Sequence, residues 1–201
     1  MGLHTDYLGH LRIAPVLNAD EIAFLQAFNG TRHCGDRTPL DVAEHPSDNE
    51  NHGDVGTYNR VSEGRPGLWC PWTSCQDGCC LIWDQGEKPY RPQEWLRYVV
   101  NTFLRPGAVL SGDPAARERG LTFDHVLDGM LVGERRETAE LFALTVRANV
   151  VRRRVLVPGA ENTDEYGYPP PDVERRSRQG RLVARRRRFA AAIARDLEAA
   201  G

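Results

Sequence analysis

Residues 125–157 read HVLDGMLVGERRETAELFALTVRANVVRRRVLV, and this stretch decides the fold class. It predicts three strands, at 125–134, 140–147 and 150–157, which are rich in apolar and β-branched residues. Only 135–138 and 148–149 connect them, and parallel strands need a crossover of a dozen residues or more. The stretch therefore predicts a three-stranded antiparallel meander.

The amino-terminal part predicts a strand followed by a helix. Between residues 3 and 16, Leu11 and Ile13 point one way while the polar side chains between them point the other. Asn18 stands where a helix cap is expected, with Glu21 three residues later to complete a capping box. The buried stripe of this helix is predicted to be Ile22, Leu25 and Phe28.

The middle of the chain predicts a hairpin and a second helix. Residues 68–72 and 80–83 flank a turn at Asp77-Gly78. Pro71 favours an edge position for the first of these strands. Pro92 suits the first position of the helix, whose predicted buried residues are Trp95, Leu96, Val99, Val100 and Phe103. Trp69 and Trp72 have opposite parity on one strand, so at least one of them is expected to face away from the core.

Together these elements predict an α+β fold. We expect a mostly antiparallel sheet with two helices on one face, in the order β-α-β-β-α-β-β-β, and then a carboxy-terminal amphipathic helix. The expected domain is 1–159, interrupted by a long polar loop at 31–66. A linker at 160–171 and an arginine-rich arm at 172–201 follow.

The arm differs from the rest of the chain in charge. Its nine arginines and four acidic residues give a charge of +5, so with a total of −2 the remaining residues 1–171 carry −7. Drawn as a helix, the arm has an apolar face opposite a basic stripe. The residues predicted to bind a partner are Phe189, Ile193, Leu197, Arg181, Arg185, Arg188 and Arg195. Several alternatives are open for the arm: it docks on its own domain or on a second copy, or it binds another protein, a membrane surface or, weakly, nucleic acid.

Five cysteines, at 34, 70, 75, 79 and 80, raise the question of a metal site. Their spacing is not that of a standard zinc knuckle. In a regular hairpin Cys70 lies roughly 15 Å from the turn, at about 3.3 Å per residue. We therefore expect no metal and no cofactor, and read the cysteines as thiols of a reducing cytoplasm. A site could still be built from the turn cysteines with Cys34, His33, His45 or His52.

A second hypothesis is a small enzyme or metal-binding protein with a polar pocket near His125 and the cysteine turn at 75–80. Asp124 and Asp128 flank His125 closely enough to orient the imidazole for general-base work. The chain has no phosphate-binding loop, dinucleotide fingerprint, nucleophile elbow or zinc-protease motif. The favoured reading is a non-enzymatic interaction module that self-associates or binds a partner through the arm.

Several short segments of the chain resemble a group of small proteins from actinobacteria and phages. The segments are GLWC at 67–70, WD at 83–84, EKPY at 87–90, EWLRY at 94–98 and FDHVLDG at 123–129. The resemblance covers roughly residues 1–157 and not the arm. No activity is attached to that group, so the resemblance implies neither a function nor a site. A single lysine against 25 arginines also suggests a bacterial origin with GC-rich codons. We expect a cytoplasmic protein, since the start of the chain does not have the form of a signal peptide.

Overall fold

The structure, a computed structural model, describes residues 4–50, 54–86 and 89–159, together with Phe189, Ala191 and Arg195. Its strands are β1 Thr5–Ala14, β2 Trp72–Ser74, β3 Cys80–Trp83, β4 Val126–Arg135, β5 Leu141–Arg147 and β6 Val150–Val157. They form one six-stranded antiparallel sheet in the order β2-β3-β1-β4-β5-β6. The expected α+β class is confirmed. β2 lies at an edge, as expected, but it covers Trp72–Ser74 rather than 68–72, and Pro71 precedes it.

The helices include more short segments than the sequence predicts. The α-helices are α1 Ala19–Asn29, α2 Val55–Asn59, α3 Pro92–Val99 and α4 Pro114–Glu118. A π-helical turn, Val100–Leu104, continues α3, and 3-10 turns lie at Pro46–Asn49 and Val109–Gly112. Five-residue helices such as α2 and α4 are too short to show a period, so the sequence pattern did not predict them. Both begin at an aspartate whose carboxylate accepts a backbone N–H bond, Asp54 from Thr57 and Asp113 from Ala115.

The inner face of the sheet carries the core. Strand β1 pairs with β4 along its whole length, from Thr5 opposite Arg135 to Ala14 opposite Val126. Helices α1 and α3 contribute to one continuous buried cluster with this inner face. Between the two helices the rings of Phe28 and Trp95 lie 6.0 Å apart, edge to face. All five residues predicted to be buried in and after α3 are buried, whereas in α1 Phe24 is buried and Ile22 only half-buried.

The polar segment at 31–66 is tied to the body at several points. His33 donates its backbone N–H to the Leu68 carbonyl at 2.8 Å and accepts from the Ser62 N–H at 3.1 Å. Its side chain is buried between the rings of Phe28 and Trp95. The backbone bond to Leu68 therefore holds this segment against residues 66–70.

The outer face of the sheet carries a second, smaller cluster. Val132 and Leu141 are buried there, and Phe189 packs against them together with Met130, Leu156 and Val157. Of the arm, only Phe189, Ala191 and Arg195 are described, and the linker 160–171 lies outside the described residues. Within the described chain, no helix is long and apolar enough to cross a membrane.

Candidate binding site

An apolar cleft opens between residues 66–71 and 89–91. Its volume is about 860 Å³. We call it the aromatic cleft because it is lined by Trp69 and Tyr90, whose side chains are 45% and 59% exposed. The expectation that one of Trp69 and Trp72 faces outward is confirmed, since Trp72 is 1% exposed. Large aromatic side chains in a concave wall are typical of sites that take a flat apolar group.

Backbone contacts fix the two walls of the aromatic cleft. The Trp72 indole N–H donates to the Pro92 carbonyl at 2.7 Å, which joins β2 to the start of α3. The Asn29 amide donates to the Cys70 carbonyl at 2.6 Å and to the Asp84 carboxylate at 2.9 Å. The Arg91 guanidinium donates to the Pro66 carbonyl at 3.3 Å and so bridges the opening.

Arg91 has an unusual backbone. Its φ of 49° and ψ of 48° place it in the left-handed region, which costs a side-chain-bearing residue on the order of 1 kcal/mol or more. Pro92 follows as the first residue of α3. This turn places Arg91 on the boundary between the aromatic cleft and a second pocket.

The second pocket, of about 480 Å³, shares Pro89, Tyr90 and Arg91 with the aromatic cleft. We call it the cationic pocket because three arginines line it and Glu94 is the one acidic residue among the described residues of its lining. The arginines come from different elements: Arg91 precedes α3, Arg135 ends β4 and Arg153 lies in β6. The amino-terminal end of α3 also borders the pocket and adds the positive end of its dipole.

Glu140 and Phe142 hold two of these guanidinium groups in place. One Glu140 carboxylate oxygen forms an ion pair with Arg135, 3.1 Å from its Nη1, and accepts a hydrogen bond from Arg153 Nη2 at 2.9 Å. Arg153 also lies over the Phe142 ring, with its Cζ 4.2 Å from the ring centroid. The Phe142 ring in turn lies against Gly133, where an added Cβ would be 2.4 Å from the ring. The side chains of Arg135 and Arg153 are thus positioned before any ligand arrives.

Tyr7 provides a buried polar group beside the cationic pocket. The side chain lines the pocket but is only 7% exposed, and its hydroxyl has no hydrogen-bond partner among the described residues. The ring packs edge-to-face on Trp72, Trp83 and Phe142 at centroid distances of 5.4, 5.6 and 5.9 Å. Burial raises the pKa of Tyr7 despite the nearby Arg135 and Arg153, so the hydroxyl stays protonated and can donate.

His125, the centre of the enzyme hypothesis, lies in the core rather than in a pocket. It is 1% exposed, its Nδ1 lies 2.8 Å from the Pro15 carbonyl, and its Nε2 lies 2.9 Å from the Glu21 carboxylate. The Pro15 carbonyl and the Glu21 carboxylate can only accept hydrogen bonds, so both ring nitrogens of His125 act as donors. Asp124 is more distant, at 3.6 Å from Nε2, and Asp128 accepts instead from the Ala148 N–H.

The cysteines divide into one group and two separate residues. The sulfur atoms of Cys75, Cys79 and Cys80 all lie within 4.8 Å of one another. Cys70 is 1% exposed and its Sγ contacts the Trp72 carbonyl at 3.6 Å. Among the described residues, neither Cys34, His33 nor His45 joins the turn cysteines in a ligand group, and His52 lies outside the description.

Of the residues predicted in the arm, the structure places two. Phe189 is half-buried on the outer face of the sheet, and the Arg195 Nε donates to the Ala191 carbonyl at 3.1 Å on the exposed side. The other predicted arm residues lie outside the described part of the chain: Arg181, Arg185, Arg188, Ile193 and Leu197.

Sequence reasoning missed the cationic pocket. The sequence held one signal for this pocket: Tyr7 lies on the same face of β1 as Leu11 and Ile13, so its side chain is expected to face the core. Arg153 likewise shares the parity of Val151 and pairs with Leu144, which is fully buried. No pattern indicated that these two residues and Arg91 would meet, because they lie on separate elements.

Comparison with protein-family models, curated proteins and solved structures gave no match.

Proposed function

We propose that this protein is a binding module for an anion that carries a flat apolar group. The anionic end would enter the cationic pocket and the flat group would lie in the aromatic cleft against Trp69 and Tyr90. The two volumes, about 480 and 860 Å³, are in the range of small-ligand sites.

The Tyr7 hydroxyl is the observation that carries this proposal. A buried hydroxyl without a partner costs about 1–3 kcal/mol. Here the Tyr7 side chain lines a pocket that also holds Arg91, Arg135 and Arg153. An oxyanion in the pocket would accept a hydrogen bond from Tyr7, whose hydroxyl has no partner among the described residues, and bidentate bonds from arginine.

The chemistry of the lining favours carboxylate, sulfonate or phosphate over a neutral polar group. Arginine binds oxyanions through a fixed fork of N–H donors, and the positive end of a helix adds to the attraction. Stacking on exposed aromatic rings contributes about 1–3 kcal/mol for a flat ring system. Glu94 would disfavour a second negative charge close to the start of α3.

The proposal can be tested with 8-anilinonaphthalene-1-sulfonate, a fluorescent probe with one sulfonate and extended aromatic rings. We expect saturable binding of one probe per protein, which weakens as salt is added because charge contributes to it. Tyr7→Phe and Arg153→Gln should each weaken binding at least fivefold, and Trp69→Ala should reduce both affinity and fluorescence enhancement.

Arg12→Gln is the matched control, since Arg12 is exposed on β1 and lines neither pocket. Its affinity should equal that of the parent protein. Circular dichroism confirms that each variant is folded. Unchanged probe affinity in folded Tyr7→Phe and Arg153→Gln would contradict the proposal, because the probe would then bind elsewhere.

A second candidate function is the one indicated by the charge of the arm. Phe189 packs on the sheet of its own molecule, and Arg195 is exposed. We propose that the arm docks through its apolar face and offers the basic stripe to an acidic partner. If the arm docks within one molecule, the full chain and a chain lacking residues 160–201 should both have the mass of a monomer by light scattering. A mass that falls from dimer to monomer on removal of the arm would instead support self-association through it.

The enzyme alternative near His125 is not favoured. An acid–base catalyst needs access to a substrate, whereas His125 is 1% exposed and both its ring nitrogens are engaged. A cytoplasmic location stays a proposal that agrees with the five free thiols.

A further inference from the structure

The turn between β2 and β3 concentrates three thiols in one place. Cys75 precedes the turn, and Cys79 and Cys80 end it, with the Cys75 and Cys79 sulfurs 3.5 Å apart. All three sulfurs lie within 4.8 Å of one another, and each residue is at least partly exposed. Three sulfurs bound to one ion at about 2.3 Å lie roughly 4 Å apart, so the observed spacing needs little rearrangement to bind.

The backbone holds this turn firmly. Cys75 donates its N–H to the Cys80 carbonyl at 2.9 Å, which sets the two side chains side by side. The Gly78 N–H donates to the Cys75 carbonyl at 3.1 Å, and the carbonyls of Gly78 and Cys79 accept from Leu17 and Ile13. Gly78 has a φ of +67°, and a Cβ there would lie 2.8 Å from the Leu17 carbonyl oxygen. Glycine therefore allows the close approach that anchors the turn to its neighbours.

One backbone donor is directed at sulfur rather than oxygen. The Cys80 N–H lies 3.3 Å from the Cys75 Sγ. An N–H bond to sulfur stabilises the negative charge that a thiolate ligand carries. The turn thus supplies three converging sulfurs, a donor for one of them and access from solvent.

We propose that Cys75, Cys79 and Cys80 bind a thiophilic metal ion, Zn²⁺, through three thiolates, with the fourth position open to water. Binding converts three thiols to thiolates and releases three protons, without any change of oxidation state. The expectation of no metal rested on the distance of Cys70 from the turn, and the alternative to it brought a further ligand from 31–66. The structure instead joins Cys80 to Cys75 and Cys79, so a site needs neither Cys70 nor a residue from 31–66.

Cobalt is a suitable probe because Co²⁺ takes the same tetrahedral sites as Zn²⁺ and shows thiolate charge-transfer absorption that grows with the number of sulfur ligands. The full-length protein, reduced with a phosphine, would be titrated with Co²⁺ and then with Zn²⁺. We expect one Co²⁺ per chain with three-thiolate intensity, displaced by one equivalent of Zn²⁺, and a higher unfolding temperature with Zn²⁺.

Serine variants locate the ligands. Cys75→Ser, Cys79→Ser and Cys80→Ser should each lower Zn²⁺ affinity at least tenfold and remove the Zn²⁺-dependent rise in unfolding temperature. Cys34→Ser is the control, because Cys34 lies outside the group and should leave both quantities unchanged. Absence of Zn²⁺ binding at micromolar concentration, or binding unaffected by the three turn substitutions, would overturn the proposal.

Discussion

At the scale of single residues, the pair formed by His125 and Glu21 shows how burial and charge are balanced. Burial alone would raise the pKa of Glu21, but hydrogen bonds from His125 and from the backbone N–H groups of Thr122 and Asn18 lower it to about 2. Burial alone would lower the pKa of His125, and the bond to Glu21 raises it instead. The two side chains form a buried ion pair that joins the residue before β4 to α1.

We predict that Glu21→Gln lowers the free energy of unfolding by about 3–5 kcal/mol, because it leaves a buried imidazolium without its counter-charge. The effect should be largest between about pH 4.5 and 6.5. The contribution of Glu21 is lost as the pH falls from 4.5 towards 2. The contribution of His125 is complete below about pH 6.5 and is lost as the pH rises through its raised pKa.

Urea denaturation of both proteins across this pH range measures the difference. His33 acts in the opposite direction, since burial lowers its pKa to about 3, but it is common to both proteins and cancels. Glu118→Gln, at an exposed position, serves as the control and should change stability by less than about 0.5 kcal/mol. A pH-independent difference would mean that the pair is not charged.

The sequence predicted part of this residue-scale picture. It placed His125 next to a carboxylate, but chose Asp124 and Asp128, which are near in the chain. The actual partner, Glu21, is 104 positions away. A contact of that span depends on how α1 packs against the start of β4, which no local pattern reports. The same limit hid the cationic pocket, whose arginines come from three elements.

At the scale of elements, α1 begins where the capping pattern predicts. The Asn18 side chain accepts from the Glu21 N–H at 2.9 Å, and the Glu21 carboxylate accepts from the Asn18 N–H at 2.9 Å. Asn18 also donates to the Gly120 carbonyl at 2.9 Å, so the cap joins the helix to the loop before β4. The helix boundary was predictable because capping is local, whereas the Gly120 contact was not.

Asn18→Ala should lower the free energy of unfolding by about 1–2 kcal/mol, the cost of a lost helix cap. The tertiary bond to Gly120 places the expectation at the upper end of that range. Chemical denaturation measures it, and Asn18→Asp provides a comparison that keeps the cap but loses the amide donor. If alanine and aspartate were equally destabilising, the cap would contribute nothing and the Gly120 bond would account for the loss.

The strands also follow local patterns: alternation and turn residues predicted five of the six close to their observed bounds, whereas the strand expected at 68–72 lies at Trp72–Ser74. The segment at 31–66 was expected to be a loop because its short helices carry no period. What orders it is long-range: Thr31 and His33 are buried and bonded into the body.

At the scale of the whole molecule, the sheet has a helical layer on its inner face and receives Phe189 on its outer face. Val132 and Leu141 are 4% exposed, and Phe189 packs against both. The amphipathic pattern of the arm required a surface for its apolar face. The sequence could not say which surface, because the outward residues of β4 and β5 alternate like those of any half-buried strand.

We predict that Phe189→Ala lowers the free energy of unfolding by about 1–2 kcal/mol, less than for a fully buried phenylalanine because Phe189 is half-buried. The loss should be independent of protein concentration, since the contact lies within one molecule. Ala191→Ser, at an exposed position, is the control. A stability that rises with protein concentration, and loses that dependence in Phe189→Ala, would show that Phe189 binds a second copy instead.

The position of β6 has a consequence for colloidal behaviour. Among the described strands it pairs only with β5, so an eight-residue edge is available as a template for aggregation. Three consecutive arginines, 152–154, lie in the middle of that edge. Two such edges meeting antiparallel would bring two arginine-rich stretches together, and the excess of positive charge there resists fibre-like association in dilute buffer. Salt screens that repulsion over about 10 Å at 0.1 M, so turbidity on storage should increase with ionic strength rather than decrease.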